Sequence, residues 1–291
     1  MYSRFEALGK YDQDKLEDST AAVIGLGATG SVISEHLARH GVNLILIDRD
    51  YLEMNDLYSS NLYSKSQCDN SLPKAKAAEE KLSELTEVEA LVENIDSGNI
   101  EELDVDIILD GTDNLETRLV IEEFSKQKDI PWVYTSALGE RGFSMFVDDK
   151  CFNCMFKKLD PSSSCETDGV MREISSITAS TSVLKAIKYL SGLEVEEDLE
   201  MLPDKKSFEP GECSCESFEI ETSSVCGEDK YQVFGDKRPE DFSKNVLVEN
   251  EYLRKVEYEG KELTIFKSGR AIVHADSENE AERLYREASS I

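Results

Sequence analysis

The chain has 291 residues, 40% of them hydrophobic, enough to fill the core of one large α/β domain or of a domain with a small addition. Its 61 acidic residues against 32 basic ones give a formal charge of -29, which argues against a binder of nucleic-acid backbone or of a membrane through a polybasic patch. No stretch approaches the roughly 20 apolar residues of a membrane span, and the N-terminal run MYSRFEALGKYDQDKLEDST is too charged for a secretory signal, so a cytoplasmic location is expected.

From Thr20 onward, short β-branched apolar runs alternate with helical stretches: AAVIG, SVISEHLARHG, VNLILID, a helix opened by Pro73, then VEALVENI, DVDIILD and PWVYTS. Runs apolar on both faces, such as Val42 to Ile47 and Val105 to Leu109, suit central parallel strands covered by helices on each side, and the expected fold is doubly wound. Gly41 stands where a helix C-terminal glycine belongs, and Pro73 where a first-turn proline sacrifices no hydrogen bond. After Phe146 the alternation fades. The run DPSSSCETDG from Asp160 reads as a loop leading into a helix over about Glu173 to Leu190. Residues 194–217 are acidic, interrupted by Pro203 and Pro210, and read as irregular connection. The tail alternates again in LRKVEYEG and ELTIFKSGRAIVHA around a Ser268-Gly269 turn, then ends in a helix whose Ser277 and Glu280 form a capping box. The expected parts are a main domain over 1–192, an irregular acidic connection over 193–244, and a ββα appendage over 245–291.

The first strand runs into Gly25-Leu-Gly27-Ala-Thr-Gly30 and a helix, the setting in which glycines let backbone approach a phosphate at a helix N-terminus. The second strand ends in Asp48, where a carboxylate can accept hydrogen bonds from ribose hydroxyls. Loop, helix and acidic residue in register favour a nucleotide site over a capped turn. In an open parallel sheet the strands' carboxyl ends share one crevice, so Asn61, Lys74 and Asp113 of the run DGTDN can all face the same ligand. A lysine there neutralises a triphosphate and an aspartate can hold Mg2+. A dinucleotide-dependent oxidoreductase shares the glycine loop and Asp48 but gives no reason for Lys74, DGTDN or the CFNC run at 151–154.

Together these residues resemble the ThiF/MoeB/HesA family, relatives of the ubiquitin-activating enzymes, over roughly residues 2–227. The matching elements are Tyr2-Ser-Arg4, GLGATGS, Asp48-Arg-Asp50, Ser60-Asn61-Leu62, Pro73-Lys74-Ala75, DGTDN, CFNC, and the later GV at 169–170 and LKAIKYLSG. The resemblance implies a Rossmann-like fold and adenylation by ATP of the C-terminal glycine carboxylate of a ubiquitin-like or sulfur-carrier protein of the ThiS/MoaD type. It gives the loop glycines to the phosphates, Asp48 to the ribose and Asn61 to the nucleotide. Lys74 and an Asp113-bound Mg2+ then cancel charge. Arg4 is supplied from the partner subunit of a homodimer. The family's Asn-Leu-x-Arg-Gln is here Asn61-Leu62-Tyr63-Ser64-Lys65, so Ser64 replaces the phosphate-binding arginine and Lys65 is the adjacent cation that can substitute for it. Activation of a peptide terminus or of a modified tRNA base by the same chemistry is the nearest alternative.

Seven cysteines in a reducing compartment suggest metal ligands rather than disulfides. Cys151 and Cys154 have zinc-knuckle spacing and need two more thiolates. Cys226-Gly227 resembles the end of the family's second pair, whose usual first member is Ser223 here, so the resemblance implies Cys226 with Cys215, slightly favoured over Cys213, as the remaining ligands; buried structural thiols are the alternative. Cys165 lies where some sulfur-transferring relatives carry a thiol that bonds covalently to the carrier, and is read either in that role or as an incidental loop cysteine. Cys68 reads as a buried idle thiol. His36, His40 and His274 form no cluster and are expected on exposed surface, and Trp132 in the core. Arg118 either orients Asp113 or joins an ion pair on the helix surface.

Overall fold

Five apolar runs fold as parallel strands: β1 (Thr20–Ile24), β2 (Asn43–Ile47), β3 (Val88–Leu91), β4 (Ile107–Asp110) and β5 (Trp132–Leu138). The computed structural model describes residues 2–60, 62–95, 99–150, 152, 169–204, 206–208, 221–224, 230–235, 237–243, 245–249, 253–266 and 270–289. The lateral order begins β3-β2-β1-β4-β5. The chain therefore steps outward from β1 to β3 and returns on the other side of β1 with β4. At such a reversal the loops leaving the two central strands diverge and open a crevice at their carboxyl ends.

The central strands β1, β2 and β4 are apolar on both faces because both faces are covered, whereas the edge strand β3 leaves Glu89 exposed. Ala21, Val23, Leu44, Leu46, Leu109 and Val133 pack beneath α1 (Ala28–Arg39), α2 (Lys74–Leu82) and the long α4 (Arg172–Leu190), through Ile33, Leu37, Ala77, Ala78, Ala179 and Val183. The alternate residues Ala22, Ile24, Ile108, Trp132 and Tyr134 pack against α3 (Leu115–Lys128), through Leu119, Ile121 and Phe124. The period-2 alternation of side chains thus divides one strand between two cores. Trp132 is fully buried and Cys68 is buried, as expected. His36, His40 and His274 are all half-buried rather than exposed; the His40 ring, at the C-cap of α1, meets Phe5 of the N-terminal segment edge-on at 4.7 Å.

The sheet continues past β5 with antiparallel strands β6 (Arg141–Val147), β7 (Leu199–Leu202) and β8 (Lys206–Phe208). β7 and β8 lie in the stretch expected to be irregular. They are too short for period-2 patterning to register, and β7 forms because the free edge of β6 offers partners, with Gly142 opposite Leu202 and Ser144 opposite Glu200.

A second, antiparallel sheet has the order β11-β12-β13-β14-β10-β9, from β9 (Glu221–Ser224), β10 (Lys230–Phe234), β11 (Val246–Glu249), β12 (Leu253–Tyr258), β13 (Lys261–Phe266) and β14 (Arg270–His274). Its helix is α5 (Glu278–Ala288). The expected boundary at 244/245 therefore falls inside this sheet, because β10 pairs onto β14 and β9 onto β10, both from the expected acidic connection. One face, with Val256, Leu263, Ile265, Ala271 and Val273, packs on Ala281, Leu284 and Tyr285 of α5. From the other face Leu253, Phe266 and Ile272 join the core around Trp132 and α3. The Ser277 side chain accepts from the Glu280 N–H as expected, but Glu280 reaches back to the N–H of Asp276 rather than Ser277. Among the described residues, no helix is long and apolar enough to cross a membrane.

Candidate functional site

The crevice at the β1/β4 border is a cavity of about 320 Å3. It is lined by Gly25, Gly27, Ala28 and Thr29 after β1, Asp48 to Asp50 after β2, Glu93 to Ile95 after β3 and Gly111 to Asn114 after β4. Ser136 to Leu138 of β5, Lys74, Arg118, Val170 and Ser175 complete it.

The three loop glycines do different work. A Cβ on Gly30 would sit 1.8 Å from the Gly25 carbonyl oxygen, and one on Gly25, at φ +83°, would sit 2.8 Å from the Gly111 oxygen. Gly25 and Gly30 therefore let the turn, the helix and the end of β4 touch. A Cβ on Gly27 would meet no protein atom within 4 Å, so its missing side chain leaves room on the cavity side. Gly27 is also the N-cap of α1 and offers no side-chain hydrogen bond, which leaves the helix's first N–H groups directed at the cavity.

Asp48 is fixed by two backbone donors, Leu26 N–H to Oδ2 at 2.6 Å and Asp50 N–H to Oδ1 at 2.7 Å. Burial raises its pKa above the usual aspartate value, and the two N–H groups and Lys74 only partly oppose that rise. Lys74 is the first residue of α2, and its own N–H donates to the Asp50 carbonyl at 2.9 Å. Its largely buried amine lies 3.4 Å from Asp56 Oδ1 and 3.9 Å from Asp50 Oδ2. Asp113 lies exposed at the mouth, and Asn114 caps α3 by accepting from the Thr117 N–H at 2.8 Å.

Arg118 takes neither of its expected places. It is buried and pairs through Nε with the fully buried Asp110 at 2.8 Å, not with Asp113. It also donates to the carbonyls of Thr112 and Thr135 and lies over the Tyr134 ring. Burial disfavours its charge, but the Asp110 carboxylate more than offsets this and the pKa stands above the usual arginine value. Asp110 in turn accepts from the Thr112 N–H at 2.8 Å and hydroxyl at 2.6 Å. The pair thus holds the bend that brings Asp113 to the cavity.

The structure brings together Gly25, Gly27, Asp48, Lys74 and Asp113 along the cavity wall, with Gly30 behind them. It does not bring Lys65 there. Ser64 accepts from the Gln67 N–H and starts a five-residue helix, Lys65–Asp69, so Lys65 lies exposed on that helix and is not among the cavity residues. Arg4 is exposed in a short N-terminal helix and does not line this chain's own cavity. Asn61, Cys151, Cys154, Cys165, Cys213, Cys215 and Cys226 lie outside the described residues. Among the described residues, no group of three or more His, Cys, Asp or Glu could hold a metal ion by itself. Sequence reasoning missed Asp56, Glu93 to Ile95, Ser136 to Leu138 and Ser175. Only the last two groups carried a signal, since they end a strand and begin a helix on the same side of the sheet.

Comparisons with known proteins agree with this geometry. The ThiF family matches residues 2–223. The sulfur carrier protein ThiS adenylyltransferase of Bacillus subtilis is 35% identical over 208 residues, 67% of this chain and 62% of that protein, so the match spans less than two thirds of that relative's length. The enzyme of the same name from Escherichia coli is 30% identical over 62% of this chain and 76% of its own. Molybdopterin-synthase adenylyltransferase of Escherichia coli is 28% identical over 66% and 82%. Among solved structures, Escherichia coli MccB with MccA-N7isoASN superposes with a TM-score of 0.60 at 19% identity over 69% of this chain and 68% of that one, a likeness of fold. With a family match over most of its length and the glycine loop, Asp48, Lys74 and Asp113 around one crevice, the chain belongs to the ThiF family.

Proposed function

We propose that this chain uses ATP to adenylate the C-terminal glycine carboxylate of a sulfur-carrier protein of the ThiS/MoaD type. The observation that carries the reading is the convergence of Gly27, Asp48, Lys74 and Asp113 on one cavity at the sheet's reversal. A carboxylate oxygen attacks the α-phosphorus, the bond to the bridging oxygen breaks, and pyrophosphate leaves with that electron pair. Two anions must meet, so catalysis consists of aligning them and cancelling charge. Asp48 accepts from the ribose hydroxyls and the start of α1 holds phosphate oxygens. Lys74 turns from Asp56 and Asp50 toward the polyphosphate. The cavity suits Mg2+, because Asp113 presents hard carboxylate oxygens and Mg2+ needs only one or two of these beside substrate phosphates. When bound, the ion supplies neutralisation of phosphate charge.

The same reading keeps Asn61 as a nucleotide contact and Arg4 as a residue given to the partner subunit of a homodimer, consistent with its exposure away from its own cavity. It assigns Zn2+ to Cys151, Cys154, Cys226 and Cys215 as a knuckle, since four thiolates suit tetrahedral zinc. Phe152, between the first two in the sequence, is buried against Trp132 and Tyr134. Cys165 is assigned to attack of the acyl-adenylate carbonyl, forming a thioester as the acyl carbon–oxygen bond to phosphate breaks and AMP leaves, and the reaction to the cytoplasm.

The test is ATP–pyrophosphate exchange by the full chain with a carrier protein ending in Gly-Gly, run beside the carrier truncated by its last glycine. Exchange with the first and none with the second is expected. Thermal stabilisation by NAD and not by ATP, with no exchange, would overturn the reading.

A further inference from the structure

The cavity has two halves, and the nucleotide accounts for one. Asp48 and the glycine loop hold ribose and phosphates over β1 and β2. The other half lies over β5 and the start of α4, where Ser136 to Leu138, Val170 and Ser175 form the wall. α4 begins without a side-chain cap, because its N-cap is Met171, whose carbonyl accepts the N–H groups of Ile174 and Ser175 at 3.0 and 3.2 Å. Val170 and Met171 lie exposed beside this opening, 40% and 47% accessible.

Ser175 is the second observation. It is 1% exposed, it lines the cavity, and its hydroxyl has no hydrogen-bond partner among the described residues. The other serine and threonine hydroxyls of α4 are satisfied. Ser176, Thr178, Ser180 and Thr181 donate to the carbonyl four residues back, and Ser182 bonds Thr135 and Ser144. A helix serine can back-bond in the same way, and leaving a buried hydroxyl unpaired is costly. The group is thus placed for a partner that arrives with a ligand.

On the adenylation reading above, on which this step rests, we infer that the Ser175 hydroxyl, at the start of α4, marks the acceptor subsite. The Ser175 hydroxyl donates to the C-terminal carboxylate of the incoming peptide tail, while Val170 and Met171 flank the tail at the mouth. A carboxylate fits because it is purely an acceptor, lies near the positive end of the α4 dipole, and sits opposite the phosphates it must attack. Ser175 is in this sense a positioning and specificity residue.

The test uses the intact chain with the non-hydrolysable α,β-methylene analogue of ATP and a synthetic ten-residue peptide ending in Gly-Gly, as free acid and as C-terminal amide. Calorimetry on the wild type should give the acid at least about tenfold tighter than the amide, as expected for a hydrogen bond to a charged acceptor. In Ser175→Ala that ratio should collapse to within about twofold, with analogue affinity unchanged and the melting temperature of the unliganded protein unchanged or higher. Ser175→Cys, which keeps a weak donor, should fall between. An acid/amide ratio unaffected by Ser175→Ala overturns the subsite, and so does a lowered melting temperature, which marks a structural hydroxyl. A loss of analogue affinity overturns it as well, by making Ser175 a nucleotide contact. If the wild type binds acid and amide alike yet exchanges pyrophosphate with a carrier, the subsite fails alone. If it also fails to exchange, the adenylation reading fails with it.

Discussion

The glycine loop allows one methyl group to be placed in two ways with opposite results. Gly30→Ala puts a Cβ where the Gly25 carbonyl oxygen lies at 1.8 Å, against an ordinary C···O approach of about 3.3–3.6 Å. One of the two must retreat by roughly 1.5 Å on that difference. Gly25 cannot do so freely, since its N–H donates to Ile47 at 2.8 Å and its other side abuts Gly111, whose own N–H donates to Ile24 at 2.7 Å. Overpacking of this kind costs about 1–3 kcal/mol or more. The gain of about 1 kcal/mol from replacing glycine in a helix does not offset the upper part of that range. A net loss of about 2 kcal/mol lowers the melting temperature by roughly 3 °C at this chain length. Gly27→Ala meets no protein atom within 4 Å, and its loss at the N-cap is at most about 1 kcal/mol. Its methyl instead occupies the space through which phosphate approaches backbone. Losing one charge-assisted hydrogen bond there weakens ATP roughly 10- to 100-fold. Differential scanning fluorimetry with and without ATP, followed by calorimetry, measures both effects. Wild-type ATP affinity in Gly27→Ala, or wild-type melting in Gly30→Ala, would refute the division of labour among the glycines.

Two further outcomes are expected. Burial raises the Asp48 pKa, so protonation begins at a higher pH than for an ordinary aspartate, and ATP affinity should fall as pH drops through that raised value. By linkage, Asp48 favours folding most below the ordinary aspartate pKa and loses that contribution as pH rises through the raised one. Stabilisation by ATP should therefore grow from acid to neutral pH, and Asp48→Asn should flatten the profile; an identical profile in the variant counts against the ribose assignment. Arg118→Met leaves Asp110 buried without its partner and should cost about 3–5 kcal/mol, while the double change with Asp110→Leu recovers most of it. Chemical denaturation measures both, and a single variant within about 1 kcal/mol of wild type would refute the pair's role in holding the bend.

The five parallel strands, the glycine loop and the terminal placement of Asp48, Lys74 and Asp113 were legible in the sequence because each depends on local chemistry. Strands buried on both faces need unbroken apolar runs such as Leu44 to Ile47, and a phosphate loop needs glycine where backbone must touch backbone. Once strands alternate with helices, right-handed crossovers bring their carboxyl ends together. Tertiary structure decided what rests on partners distant in sequence. β7 and β9 are strands because the free edges of β6 and β10 accept them, and their own four residues carry no pattern to announce it. Arg118 is an ordinary helix arginine by sequence and becomes a buried strut only where the packing of α3 on β4 closes over Asp110. Lys65 looked like the missing phosphate cation because it adjoins Ser64, which stands where the family's arginine is expected, yet the Ser64 cap directs it onto a surface helix. Charge and spacing can be read along a chain, but the direction a side chain faces depends on which surfaces are left to cover it.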